Sequence, residues 1–180
     1  TKFFEPMKNA TVVNKVYTTQ AQIKQRVGRV GRTQPGIAYH LYTQLKFSQL
    51  EKFPKADVLT IDLTEYMLSF IKYSKTINTT IDILENLITE PTINQFKSSL
   101  HKLHFINALK IVDKNDKKLD KINWSSIKNY NDFKTNMNGA LTTLGYVLLR
   151  FRSTSLFGAL AVIMSYYFGT EIQMEIIKLV

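Results

Sequence analysis

Hydrophobic and polar positions at the head of the chain follow two different periods. Residues 11–17, Thr-Val-Val-Asn-Lys-Val-Tyr, are β-branched and partly alternating, which predicts a strand. They run into Thr18-Thr19-Gln20-Ala21-Gln22, where Thr19 and Gln22 stand three apart as a capping box, so a helix is expected from about position 20. That helix is expected to continue through Arg32 and to stop before the turn signal Gln34-Pro35-Gly36. Ile37, Tyr39 and Leu41 then alternate with Ala38, His40 and Tyr42, the period of a second strand. Strand, helix, strand is an α/β signature.

From about Asp57 the period changes. Leu59, Leu63, Met67, Phe70 and Ile71 fall on one helical stripe. Ile81, Ile83, Leu84, Leu87 and Ile88 suggest a short helix ahead of Pro91, and Ile93, Phe96, Leu100 and Leu103 mark another over 92–103. Residues 108–112 read as a strand, and 140–144 as its return strand or the start of a helix. Three small helices and a two-stranded ribbon are the winged-helix layout, a relative of the helix-turn-helix. Between the two strands, 113–139 opens on Lys114, Asn115, Asp116, Lys117 and Lys118 and is then rich in Asn, which reads as an extended, solvated wing loop. Beyond Gly145 the pattern is helical again, with apolar positions around Arg150 and Arg152, a break near Ser153-Thr154-Ser155, a helix to Phe168 and a last one from Thr170. No internal repeat occurs.

Composition narrows the classes. With 44% hydrophobic residues in 180, the chain is too apolar to be disordered throughout. Its 24 Lys and Arg against 14 Asp and Glu leave a net charge of +10, which favours a partner bearing phosphates, although a membrane surface or an acidic protein would satisfy the same charge. The absence of cysteine excludes disulfides and thiolate metal sites, so the redox compartment stays open and cytoplasm or nucleus is the default. The first residues lack the apolar core of a signal peptide, and the start without Met reads as an internal boundary. The uncharged run 153–170 is at the lower edge of a membrane span, but its Ser, Thr and Gly favour a buried helix, and no membrane partner is expected.

Candidate chemistry concentrates in residues 25–32, Gln-Arg-Val-Gly-Arg-Val-Gly-Arg. On a continuous helix Gln25, Arg29 and Arg32 would stand at i, i+4 and i+7 on one face, with Ile23, Val27 and Val30 on another that can pack. Gly28 and Gly31 would each cost such a helix about 1 kcal/mol relative to Ala, which makes sense where something approaches the backbone closely. A guanidinium offers always-charged donors in a fork that matches phosphate oxygens. The bland alternative is a basic helix lying in solvent or on a nucleic-acid backbone, for which Lys and Arg in any order would serve.

This octet resembles the sixth motif of superfamily 2 helicases. Its continuation, Thr33-Gln34-Pro35-Gly36-Ile37-Ala38-Tyr39-His40-Leu41-Tyr42-Thr43, is similar to that of the DEAH and RNA-helicase-A-like families; DEAD-box proteins begin the motif with His instead of Gln25. The resemblance implies that Gln25 faces the ATP γ-phosphate, that Arg29 contacts it, that Arg32 is the arginine finger, and that Gly28 and Gly31 keep the turn tight. Arg26 becomes a structural ion-pair partner. Lower-specificity likenesses follow in 56–63, in 91–109, and in Leu141-Thr142-Thr143-Leu144-Gly145, which is similar to the opening of the family's helical ratchet domain. The chain departs from the family at Thr60 or Ile61, one of which replaces the usual Arg, in the length of the 113–138 insertion, and in lacking a proline near Arg152-Ser153.

The fold implied is an α/β fragment, the end of a second RecA-like motor domain over 1–54, followed by a mainly α winged helix over 55–143 and the start of a ratchet domain over 144–180. The function implied is part of an ATP-dependent RNA helicase, with ATP and Mg²⁺ as the parent enzyme's cofactors and RNA or DNA as partner. A non-enzymatic winged-helix nucleic-acid-binding module is the alternative. No G-x-x-x-x-G-K-[ST] loop and no D-E-x-H run occurs in the 180 residues, so this piece alone is expected to hold neither ATP nor Mg²⁺, to lack the N-terminal motor domain as a partner, and to bind nucleic acid weakly and salt-dependently. Three further features read as structural first. His101 and His104 are spaced as metal ligands can be but lack a third, and no metal site is expected. Lys110, Lys114, Lys117, Lys118 and Lys121 are interleaved with Asp113, Asp116 and Asp120 and read as a solvated loop that could touch RNA phosphates. Trp124 reads as a small core anchor, with Tyr130 and Phe133 nearby keeping a base-stacking platform open.

Overall fold

The structure is a computed structural model that describes residues 2–151 and 154–180. These divide into two compact units. One comprises the residues up to Glu5 with Ala10–Ile61, the other Pro6–Asn9 with Asp62–Val180.

In the first unit, β1 (Lys2–Glu5) pairs antiparallel with β2 (Ala10–Val13), in the register Phe3↔Val12 and Phe4↔Thr11. Phe4 is buried, and its N–H donates to the Thr60 carbonyl at 2.7 Å. Helix α1 (Gln20–Val27) opens with the capping box that the sequence predicts: Thr19 Oγ1 accepts from the Gln22 N–H, and Gln22 Oε1 accepts from the Thr19 N–H. The remaining free donors of its first turn are also satisfied, because the N–H groups of Gln20 and Ala21 donate to the carbonyls of Glu51 and Lys52. A short α2 (Gln44–Ser48) is capped by Thr43.

Three expectations for this unit are corrected. The first strand ends at Val13 instead of running to position 17. The helix ends at Val27, because Gly28 caps it and the chain leaves in tight turns before Arg32. No second strand forms over 37–41; Ile37, Tyr39 and Leu41 are 75%, 82% and 97% exposed. Alternation gives a segment two faces, but a strand also needs an edge to pair with, and no described residue offers one there.

The second unit is helical around one small sheet. Helices α3 (Thr64–Ser74), α4 (Ile77–Glu85) and α5 (Ile93–Phe105) pack against β3 (Leu109–Asp113) and β4 (Met137–Leu141), which run antiparallel with Leu109↔Leu141 and Ile111↔Gly139 opposed. The predicted apolar stripes supply the core: Leu63, Met67, Ile71, Ile81, Leu84, Phe96, Leu100 and Leu103 are all buried. Leu87 and Ile88, assigned to the short helix, lie past its end and are exposed. Lys102 is 8% exposed and is held at 2.5 Å by Asp62, whose other oxygen accepts from Thr64.

The segment 113–139 is not a solvated loop throughout. It contains α6 (Tyr130–Asn136), and Ile127, Tyr130 and Phe133 are buried. Phe96 meets Tyr130 and Phe133 edge to face, with ring centroids 5.0 and 5.6 Å apart, and the Tyr130 hydroxyl donates to the Pro91 carbonyl at 2.7 Å. Three aromatic rings bury more area than an Asn-rich composition suggests, and that area draws the segment inward.

Thr142 then caps α7 (Thr143–Leu148), so 140–144 is both a strand end and a helix start. The break expected at 153–155 falls partly on Ser153, which with Arg152 lies outside the described residues, as does the position of the missing proline. Helices α8 (Leu156–Ser165) and α9 (Thr170–Leu179) close the unit, with Gly169 at φ +97° between them. Among the described residues no helix is long and apolar enough to cross a membrane.

Candidate nucleotide-phosphate site at residues 25–43

The site grows from the end of α1. Lys24 and Arg26 lie in its last turn, where the partial negative charge of the helix C-terminus favours cations. The Gly28 N–H donates to the Lys24 carbonyl at 2.8 Å. The N–H groups of Arg29 and Val30 then donate three residues back, to the carbonyls of Arg26 and Val27, at 3.0 and 2.9 Å. This tightening ends at Gly31, whose φ of +76° turns the chain away and is a conformation that side-chain-bearing residues disfavour. Arg32 folds back over the turn: its Nε donates to the Gly28 carbonyl at 2.9 Å. Gly36 closes the loop, since a Cβ there would stand 2.7 Å from Val30 Cγ1.

The side chains of Gln25, Arg29 and Arg32 are therefore not aligned on one helical face. Gln25 sits on the last turn and the two arginines on the loop beyond it, all exposed. Arg32 and Gly28 are brought into direct contact; the side chains of Gln25 and Arg29 have no hydrogen-bond partner among the described residues. Arg26 makes no ion pair among the described residues. The two glycines also differ. Gly28 has an ordinary helical φ of −64°, whereas Gly31 needs its freedom.

Opposite this turn, the Tyr42 hydroxyl and His40 Nδ1 are 2.8 Å apart, and the Tyr42 ring stacks on Phe47 at 6.4 Å. With Ile23, Val27 and Gly28 they border a hollow of about 510 Å³ beside the motif. His40 and Tyr42 entered the sequence argument only as part of a longer string. Their i, i+2 spacing puts both on one face of an extended segment, but alternation alone does not single the pair out as part of a site. The donor set, two guanidinium groups and an amide without a carboxylate, fits phosphate oxygens and does not fit a divalent cation. Among the described residues no group of three or more His, Asp or Glu could hold a metal ion.

In fold and in sequence the chain resembles DEAH-type superfamily 2 RNA helicases. No family model matches it. It is 32% identical over 108 residues to a protein of Acanthamoeba polyphaga mimivirus named as an ATP-dependent RNA helicase, 59% of this chain and 16% of that one. It is also 32% identical over 108 residues to the DExH-box ATP-dependent RNA helicase DExH6 of Arabidopsis thaliana, covering 60% of this chain and 8% of the relative. Against the ATP-dependent DNA/RNA helicase DHX36 of Bos taurus the identity is 32% over 106 residues, 59% and 10% of the two chains. The chain thus spans at most about a sixth of the length of these relatives. Among solved structures, two of the Escherichia coli DEAH helicase HrpB superpose on 91% of this chain with TM-scores of 0.59 and 0.61 at 16% identity, covering 16% and 17% of the HrpB chain. The fold is accordingly that of part of a DEAH helicase.

Proposed function

We propose that this chain serves as part of an ATP-dependent helicase acting on nucleic acid, RNA in the first place, and supplies the residues that sense the ATP γ-phosphate. In this reading residues 1–54 end the second motor domain, 55–143 form the winged helix and 144–180 begin the ratchet domain. Gln25 faces the γ-phosphate, Arg29 contacts it, Arg32 acts as arginine finger and Gly28 lets the phosphate approach. ATP and Mg²⁺ are the parent's cofactors, and the 180 residues alone hold neither.

The observation that carries the proposal is the ordered run 25–32, ending in two exposed arginines that have no acidic partner among the described residues. Charge spreads over the phosphoryl oxygens as the bond to the leaving group breaks, and fixed guanidinium donors stabilise that charge without being consumed. The Arg32 Nε contact to Gly28 supports the assignment, because it orients the guanidinium while leaving its Nη groups available. The relatives, named as ATP-dependent helicases, support the reaction class.

The test is ATP turnover by a helicase carrying this stretch, with Arg29→Ala and Arg32→Ala. Each is expected to lower turnover by roughly 10³-fold or more, while RNA affinity without nucleotide changes little. Normal turnover in both variants would overturn the assignment of Arg29 and Arg32 to the γ-phosphate.

A further inference from the structure

One side-chain cluster in the second unit has no part in the site above. At the end of α5, His101, His104 and Phe105 border an open hollow of about 570 Å³ together with Lys118, Lys121 and Trp124. The His101 ring meets the Trp124 indole edge to face with centroids 5.7 Å apart. His104 Nε2–H donates to the Leu119 carbonyl at 2.9 Å, and the Leu119 N–H donates to the Ile111 carbonyl at 2.9 Å. The stretch that carries Trp124 is thus tied to both α5 and β3, and the indole is held half-exposed instead of riding on a free loop. Phe105 is 79% exposed, a large ring left in water.

Asp120 also lines the hollow, so the charge left over there depends on how the acids and lysines pair. Asp113 Oδ1 is engaged by the N–H groups of Asn115 and Lys117 at 2.8 and 3.0 Å, and Asp120 by Lys118 at 3.1 Å. Lys121 has no acidic partner among the described residues. A metal is a poor occupant, because among the described residues no group of three or more His, Asp or Glu could hold one.

We propose that this hollow binds a single-stranded nucleic-acid segment, with a base against the Phe105 and Trp124 rings and the adjoining phosphate on Lys121. Aromatic faces beside an uncommitted ammonium are what stacked bases on a charged backbone require, and the chain's +10 charge draws such a strand in. The inference rests on the reading that the protein acts on nucleic acid but uses none of residues 25–32.

Trp124 is the chain's one tryptophan, so its fluorescence reports on the hollow directly. The experiment titrates the full chain with a dodecamer of oligouridylate in the absence of nucleotide. Saturable quenching is expected. Phe105→Ala, at a side chain that packs little, should weaken it roughly tenfold. Lys121→Ala should reduce the slope of log affinity against log salt by about 0.7, the share of one phosphate on a single strand, with Lys121→Arg restoring it. The titration contains no nucleotide and reads only Trp124, so its outcome is independent of the phosphate-sensor reading. Three results would overturn the proposal: no quenching by RNA, leaving the hollow to a protein partner; equal quenching by inorganic polyphosphate, showing a merely charged surface; or quenching of unchanged affinity and salt dependence in both Phe105→Ala and Lys121→Ala.

Discussion

Arg29 and Arg32 are alike in sequence but differ in their surroundings, and the difference can be tested. Arg32 is oriented by its Nε contact to Gly28, so Arg32→Lys keeps the charge yet loses both that contact and the fork; ATP turnover should fall nearly as far as with Ala. Gln25→His, which imposes the DEAD-box residue, should impair the coupling of ATP turnover to RNA; unchanged ATPase and unwinding would show that position 25 selects nothing. The glycines separate backbone need from ligand approach. Gly31→Ala forces a side chain into φ +76° and should destabilise the first unit by about 1–2 kcal/mol in thermal melts. Gly28→Ala keeps an ordinary φ of −64° but sets a Cβ 3.3 Å from the Lys24 carbonyl, so it should destabilise less than Gly31→Ala, and a loss of ATP turnover beyond that seen on mild destabilisation would report on the approach of a phosphate.

At the scale of elements, α6 decides whether 113–139 is loop or core. Phe133 is wholly buried against Phe96, so Phe133→Ala should cost the second unit about 3–5 kcal/mol in urea unfolding, where a solvated-loop position would cost almost nothing. Helix α6 is also tied to α4 by Lys134, which reaches Asp82 at 2.6 Å and Glu85 at 2.7 Å. These hydrogen bonds, Asp82 first, raise the Lys134 pKa above its ordinary 10.5. The stability they add is fully present below that value and is lost as pH rises through the folded-state pKa. Tyr130 acts in the same window. Burial first, then Glu90 and Glu85, push its phenol well above 10.0, so the unfolded chain releases that proton while the folded one keeps it. Stability should therefore fall from about pH 10 upward, and Lys134→Met and Tyr130→Phe should each flatten that fall when urea midpoints are measured between about pH 9 and about pH 11. An unchanged slope in both variants would show that these contacts do not persist in solution. Gly139 and Gly145 set how closely the sheet and α7 can pack: added Cβ atoms would meet the carbonyls of Lys110 and Ala108, and Ala at either position should be strongly destabilising.

For the whole molecule, charge and missing chemistry make opposite predictions. Arginines stabilise charge only where other groups have positioned the nucleotide, so the isolated 180 residues should show no ATP turnover above background in a phosphate-release assay. Their +10 charge should nevertheless bind single-stranded RNA with a steep salt dependence and little sequence preference. Exposed apolar side chains, Ile37, Tyr39 and Leu41 in the first unit and Phe168, Ile172 and Ile177 in the second, should make the chain self-associate as concentration rises, which light scattering would detect.

Local rules determined much of this protein from its sequence. The capping box at Thr19 fixed where α1 begins, since both its partners lie within one turn. The apolar stripes of α3 to α5 identified the core of the second unit because 3.6-residue periodicity survives any packing arrangement, and the order of residues 25–32 pointed to phosphate chemistry. Tertiary structure decided the rest. Whether 37–41 became a strand depended on a neighbouring edge, and alternation carries no information about one. Whether 113–139 was loop or core depended on Phe96 lying where Tyr130 and Phe133 could reach it, across more than 30 residues of chain. The arrangement of Gln25, Arg29 and Arg32 likewise depended on a helix ending at Gly28, because a glycine tolerated within a helix and one that ends it look the same until the following residues find their hydrogen bonds.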